Sequence, residues 1–186
     1  MFKTVLGSIG IVAIVLLTAF ILIYNKLVRI KNLVNEAWSG IDVQLKRRYD
    51  LIPNLVATVK GYSSHEANTL ERVTQLRTIA MRATSISEKT DAENNLTTSL
   101  KSLFAVAENY PDLKASHNFA NLQTELSNIE EQLQLARRYY NAVTRDYNSS
   151  IQVFPNNLIA NFMNYKQQAY FEVNGDTERE TPKVSF

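Results

Sequence analysis

The chain predicts an all-α fold: an apolar N-terminal transmembrane helix that continues into an antiparallel bundle of long helices. Three observations predict it. Residues Thr4 to Tyr24 run without a single charge. The whole sequence holds only 5 Gly and 4 Pro, too few turn formers for a β-rich domain of this length. A late segment repeats apolar residues at alternating spacings of three and four, the signature of a long helical packing seam.

The first element is the anchor, residues 1–25. A helix over Thr4–Tyr24 rises about 30 Å, close to the hydrocarbon thickness of a bilayer. Lys3 and Lys26 bracket it, where their stems reach the headgroups, and Tyr24 suits the interface. A cleavable signal peptide has a shorter apolar run and then a small-x-small site. Here Ala19 is followed by Phe20, Ile21, Leu22, Ile23 and Tyr24, so the segment is expected to remain attached. Residues 26–48 carry six cations against Glu36 and Asp42, whereas Lys3 stands alone before the anchor. The side richer in Lys and Arg stays in the cytoplasm, so the body of the protein is expected there.

The next element continues the first. Leu27, Ile30, Val34, Ala37, Ile41 and Leu45 keep helical spacing, so anchor and first soluble helix read as one rod to about Tyr49. Pro53 biases Ile52 away from helix; either Asp50 caps a fresh start there or the rod kinks. The pattern resumes at Leu55, Val59, Tyr62, Leu70, Val73, Arg77 and Ala80, with Gly61, Ser63 and Ser64 marking a bend. Thr84–Thr90 reads as a turn, with Thr90 or Asp91 capping a helix through Leu96, Leu100, Leu103 and Ala107 that Pro111 ends. Ser116 looks like the cap of the longest soluble helix. Its seam is Phe119, Leu122, Leu126, Ile129, Leu133, Ala136, Tyr140, Val143 and Tyr147, with Gln123, Glu125, Glu130, Glu131, Gln134, Arg137, Arg138 and Arg145 on its solvated face. One helix cannot bury that seam alone, which calls for a bundle over residues 26–173. Phe154–Asn157 is a turn, Leu158–Met163 a short helix, and residues 174–186 have the composition of a disordered tail.

Little in the sequence supports catalysis. Cys is absent, which excludes disulfides, thiolate metal sites and thiol nucleophiles. His65-Glu66 opens like a zinc-protease motif, but Thr69 stands where the second histidine belongs. Glycines do not cluster into a phosphate loop, and no Gly-x-Ser-x-Gly elbow occurs. No enzyme activity and no cofactor are expected. Nucleic acid is a poor match for a chain whose basic residues form no extended face with stacking aromatics.

Binding is the better expectation, and the candidate surface comprises Asp42, Lys46, Arg47, Arg48, Asp50, His65, Glu66, Arg137, Arg138, Tyr139 and Tyr165. Asp42 with Lys46, and Lys46 with Asp50, are spaced as helix-surface ion pairs, which contribute a few tenths of a kcal/mol. Residue types favour a plain solvated helix face with a kink there, the alternative being a charged joint for a neighbouring subunit or lipid headgroups. Tyr139 and Tyr165 belong to no apolar stripe and suit contact with another chain.

The segment Asn32–Val56, with Glu36-Ala37-Trp38 and Arg47-Arg48-Tyr49-Asp50-Leu51-Ile52-Pro53-Asn54-Leu55 at its heart, resembles the signature of the LemA family of bacterial membrane proteins. Val59-Lys60-Gly61-Tyr62, His65-Glu66, Ala136-Arg137-Arg138-Tyr139-Tyr140-Asn141, Tyr147-Asn148 and Phe154-Pro155 continue the resemblance to about Val173. It implies one N-terminal anchor, an antiparallel bundle and no catalytic residues to carry over. The family includes a magnetosome-associated relative, which points to membrane organisation. The expected role is a scaffold in the bacterial inner membrane that associates with itself and with lipid. The alternative is an adaptor presenting the bundle to a signalling, protease or secretion partner.

Overall fold

A computed structural model describes residues 2–63 and 66–172. Among these, six helices follow one another with no strand: α1 (Phe2–Tyr62), α2 (Ala67–Arg82), α3 (Ile86–Ala107), α4 (Pro111–Lys114), α5 (His117–Ser150) and α6 (Asn156–Phe162). The all-α expectation holds. The expected tail, 174–186, lies outside the described residues.

Helix α1 is uninterrupted over 61 residues and includes Pro53. Proline removes the N–H that would bond the carbonyl four residues earlier, here Tyr49. The fresh start offered at Pro53 does not occur; the helix runs through it, and that carbonyl has another donor, Arg77 Nε of α2 at 2.7 Å. The helix instead ends at Tyr62, where the Ser63 hydroxyl turns back onto the Val59 carbonyl at 3.0 Å. In its N-terminal part, the large apolar side chains from Ile9 to Leu22 are exposed. Among the described residues α1 alone is long and apolar enough to cross a membrane.

The fold divides into two compact units. One holds residues 41–137 with 170–172. Its core takes Ile41, Leu45, Ile52, Leu55 and Val59 from α1, Leu70 and Val73 from α2, Leu96, Leu100 and Leu103 from α3, and Phe119 to Leu133 from α5. Helices α2 and α3 pack as an antiparallel hairpin across the connection at 83–85. Ser85 caps α3: its hydroxyl accepts from the Glu88 N–H at 3.2 Å, while Glu88 Oε2 accepts from the Ser85 N–H at 3.1 Å. This capping box puts the cap of α3 at Ser85, five residues before Thr90 and six before Asp91, the two expected caps. Thr90 is inside the helix, its hydroxyl bonded to the Ile86 carbonyl at 2.8 Å. Pro111 does not terminate α3, which ends at Ala107; it opens α4, where its missing N–H costs nothing.

The other unit holds residues 2–40 and 138–169. Leu27, Val34 and Ala37 of α1 are buried with Tyr140, Val143 and Tyr147 of α5, and Trp38 meets Tyr140 edge to face at 5.5 Å. Helix α6 ends in a Schellman motif. Tyr165 N–H bonds the Ala160 carbonyl at 2.9 Å and Asn164 N–H bonds Asn161 at 3.1 Å, around Asn164 at φ 54°. A left-handed residue is needed there, and Asn tolerates it better than most. The chain then runs without secondary structure, held by side chains of α5. Tyr147 donates to the Lys166 carbonyl at 3.0 Å and Tyr140 to that of Ala169 at 2.9 Å. The Asn148 amide engages both backbone groups of Gln168, at 2.9 and 2.8 Å.

Candidate functional site

The most distinctive chemistry lies inside the unit of residues 41–137. On α1, Ile41, Leu45, Ile52, Leu55 and Val59 face the core, and Arg48 occupies the seam position between Leu45 and Ile52. On α3 the buried stripe Leu96, Leu100, Leu103 is preceded, one turn earlier, by Glu93. Helical period therefore points a cation and an anion into the same core, and both are 0% exposed.

They meet there. Arg48 Nη1 donates to Glu93 Oε2 at 2.8 Å, and Nη2 donates to Thr97 Oγ1 at 2.7 Å and forms an ion pair with Glu130 Oε1 of α5 at 2.9 Å. The Tyr49 hydroxyl donates to the other Glu93 oxygen. Arg137 lies near this group without an ion pair to it among the described contacts, its guanidinium 4.6 Å from the centre of the buried Phe171 ring. Burial, and then the nearby Arg48 charge, lower the Arg137 pKa, while Glu93 and Glu130 oppose that shift. Burial first, and then the Glu93 carboxylate, push the Tyr49 phenol far above its ordinary value. The phenol therefore stays neutral and remains a donor.

Two cations and two carboxylates cancel formally, which makes their shared burial tolerable. The network reaches the surface at Glu130. Glu130 is 31% exposed and, with Arg48, Thr97, Leu100, Lys101 and Phe104, lines a groove of about 510 Å3 between α3 and α5. No group of three or more His, Asp or Glu that could hold a metal occurs among the described residues.

Several expected surface residues are elsewhere. Arg48 and Arg137 are buried, so neither belongs to a solvated face; a seam position on α1 draws in the first, and an aromatic ring shields the second. Glu130 is likewise half-buried rather than solvated. Asp42, Lys46, Arg47 and Asp50 are exposed, and Asp42 faces Lys89 of α3 at 3.8 Å. Glu66 is half-buried and accepts from the Tyr110 hydroxyl at 3.2 Å. His65 lies outside the described residues. Arg138, Tyr139 and Tyr165 belong to the other unit: the first two are exposed, and the Tyr165 ring carries Lys31 Nζ at 5.0 Å from its centre. The residues sequence reasoning missed are Glu93, Thr97 and Tyr49. The available signal was an acid on an apolar stripe and an arginine on an apolar seam.

A long apolar helix with an all-helical body locked by buried charges defines a class: helical proteins consistent with membrane association. The chain belongs to the LemA family, whose model matches residues 37–186. The match thus runs past Val173, further than the motifs of the resemblance reached. Protein LemA of Metamycoplasma hominis is 31% identical over 152 residues, covering 80% of this chain and 68% of that protein. Magnetosome protein MamQ 2 of Paramagnetospirillum magneticum is 24% identical over 205 residues, with 95% and 75% covered. Magnetosome protein MamQ of Magnetospirillum gryphiswaldense is 21% identical over 196 residues, with 90% and 72% covered.

Proposed function

We propose that this protein is a non-enzymatic, membrane-anchored scaffold that associates with itself to organise or remodel the bacterial inner membrane. The observation that carries the proposal is α1. Its residues from Ile9 to Leu22 expose large apolar side chains on every face, and the same helix continues without a break to Tyr62. Such a surface is unfavourable in water by about 25 cal/mol for each Å2 of apolar area, and a bilayer removes that cost. Glu93, the most deeply buried carboxylate of the bundle, is engaged by Arg48 and Tyr49. The excess of cations after the anchor favours a cytoplasmic body. The magnetosome names of two relatives suit membrane organisation as the theme.

Crosslinking in intact membranes, followed by mass analysis, tests the scaffold. Ladders of this chain with itself are expected. A single foreign band would replace the scaffold with the adaptor reading, and release of the intact chain by alkaline carbonate would remove the anchor. A reporter fused after Phe186 checks the orientation and should be active on the cytoplasmic side.

A further inference from the structure

Within the unit of residues 2–40 and 138–169, the anchor changes character over a short distance. Ile9 to Leu22 are exposed, Ile23 and Tyr24 are half-buried, and Leu27 is 0% exposed. Part of what lies alongside there is the segment after α6. Lys31 Nζ sits over the Tyr165 ring, and the Tyr165 phenol pKa is raised by burial and then by Tyr24, a near neighbour. Tyr24 and Lys31 are seven residues apart on one helix, about 10 Å of rise. Tyr24 marks the hydrocarbon edge, and the headgroup region beyond it is about 5–8 Å deep. Tyr165, next to both Tyr24 and Lys31, therefore stands within or just above the headgroup layer when α1 spans the bilayer.

The chain leading to Tyr165 has an unusual surface. From Tyr147 to Tyr165, nineteen residues in sequence, there is no charged side chain. Ile159 and Ala160 of α6 face inward, but Phe154 and Phe162 are each 78% exposed, Leu158 60% and Val153 51%. Leu158 and Phe162 are four apart on α6 and share a face. An uncharged, aromatic-rich patch of this kind is poorly suited to water and well suited to the interfacial layer, where Phe and Leu on short elements bury in the headgroup–acyl boundary.

We propose that α6 and the turn before it form a second membrane contact, lying in the bilayer interface beside the anchor with Phe154, Leu158 and Phe162 toward the lipid. The proposal rests on α1 being a membrane anchor and commits to lipid as the occupant, because the patch is joined through Met163, Asn164 and Tyr165 to the interfacial end of that helix. A short wedge inserted into one leaflet also gives the scaffold a means of acting on membrane shape.

The absence of Cys allows single-site labels in the full chain. Phe162→Cys, Leu158→Cys and Leu16→Cys, each carrying an environment-sensitive fluorophore, are reconstituted into phosphatidylcholine–phosphatidylglycerol vesicles containing nitroxide lipids. The expected result is a blue-shifted label at 162 and 158 quenched most by shallow nitroxides, with the label at 16 quenched most by deep ones. Water-like, unquenched labels at 162 and 158 with a quenched label at 16 would overturn the proposal and leave the anchor standing. Three unquenched labels would overturn both. A blue shift at 162 that grows with protein density and resists lipid quenching would assign the patch to a second copy of the chain and overturn the lipid assignment.

Discussion

Helix α1 passes Pro53 because Arg77 supplies the donor that proline lacks, and this makes a sharp energetic prediction. The Tyr49 carbonyl is the acceptor that residue 53 would normally serve, Tyr49 is 6% exposed, and Arg77 Nε stands 2.7 Å away. Arg77→Met keeps most of the aliphatic stem and deletes the donor. Losing a hydrogen bond from a charged group costs about 1.5–3 kcal/mol, and the half-buried setting of Arg77 places the expectation near the lower end, about 1.5–2 kcal/mol. Pro53→Ala restores an N–H to the helix, so in that background the same Arg77→Met change should cost no more than about 0.5 kcal/mol, as for an ordinary surface substitution. The difference, about 1–1.5 kcal/mol, is the coupling between the two positions. Denaturant unfolding of the full chain in mild detergent, followed by circular dichroism for all four members of the cycle, measures it. Equal costs in the two backgrounds would refute the reasoning and reduce Arg77 to a packing residue.

The charge network yields a second prediction. Glu93→Ala strands Arg48 in the core with only Glu130 for a counter-ion and should destabilise by about 3 kcal/mol in the same assay, whereas the paired change Arg48→Met with Glu93→Leu should recover most of that loss. Tyr49 carries a pH signature. Its folded pKa is raised, so its contribution is complete below the unfolded value of 10.0 and is lost as pH climbs above it, when the unfolded chain ionises and the folded one does not. Unfolding midpoints measured from pH 8 to 11 should therefore fall less steeply for Tyr49→Phe than for the unmodified chain. At the start of α3, Ser85→Ala removes the hydroxyl that accepts from Glu88 and should lower stability by about 1 kcal/mol, with hydrogen exchange accelerated at Ser87 and Glu88.

Periodicity made the helices legible, and partners across space were what it could not supply. The seam of α5 is buried from Phe119 to Tyr147 as its three-four spacing requires, apart from Ala136, which is half-covered. Pro53 left a fresh start and a kink both open, and the donor that serves its freed carbonyl lies 28 residues on, out of reach of a local rule. Ser85 and Glu88 were readable as a capping box, yet the run of Ser and Thr around them also fits a turn, and the box prevails because it satisfies two backbone N–H groups at once. Arg137 follows the seam residue Ala136, so helical geometry alone leaves it at the edge of the buried face. Phe171 of the later chain decides that it is covered. Glu93 is the most instructive omission: position put it on the stripe, and its charge argued against a place that only Arg48 and Tyr49 make tenable.

Those two counter-groups also explain why charges stand in a core that leucines could have filled. A seam of similar apolar residues is nearly as well buried after a slip of one heptad, so burial alone sets the register of α1 weakly. A slip of seven residues would bring Ile41 or Leu55 to the place of Arg48, opposite Glu93. The carboxylate would then be buried without a cation, at a cost of several kcal/mol. Thr97 and Glu130 would lose their donor as well, and Tyr49 would no longer reach the second oxygen of Glu93. The hydrophobic seam thus holds α1, α3 and α5 together, while the buried charges select one alignment among those the seam permits.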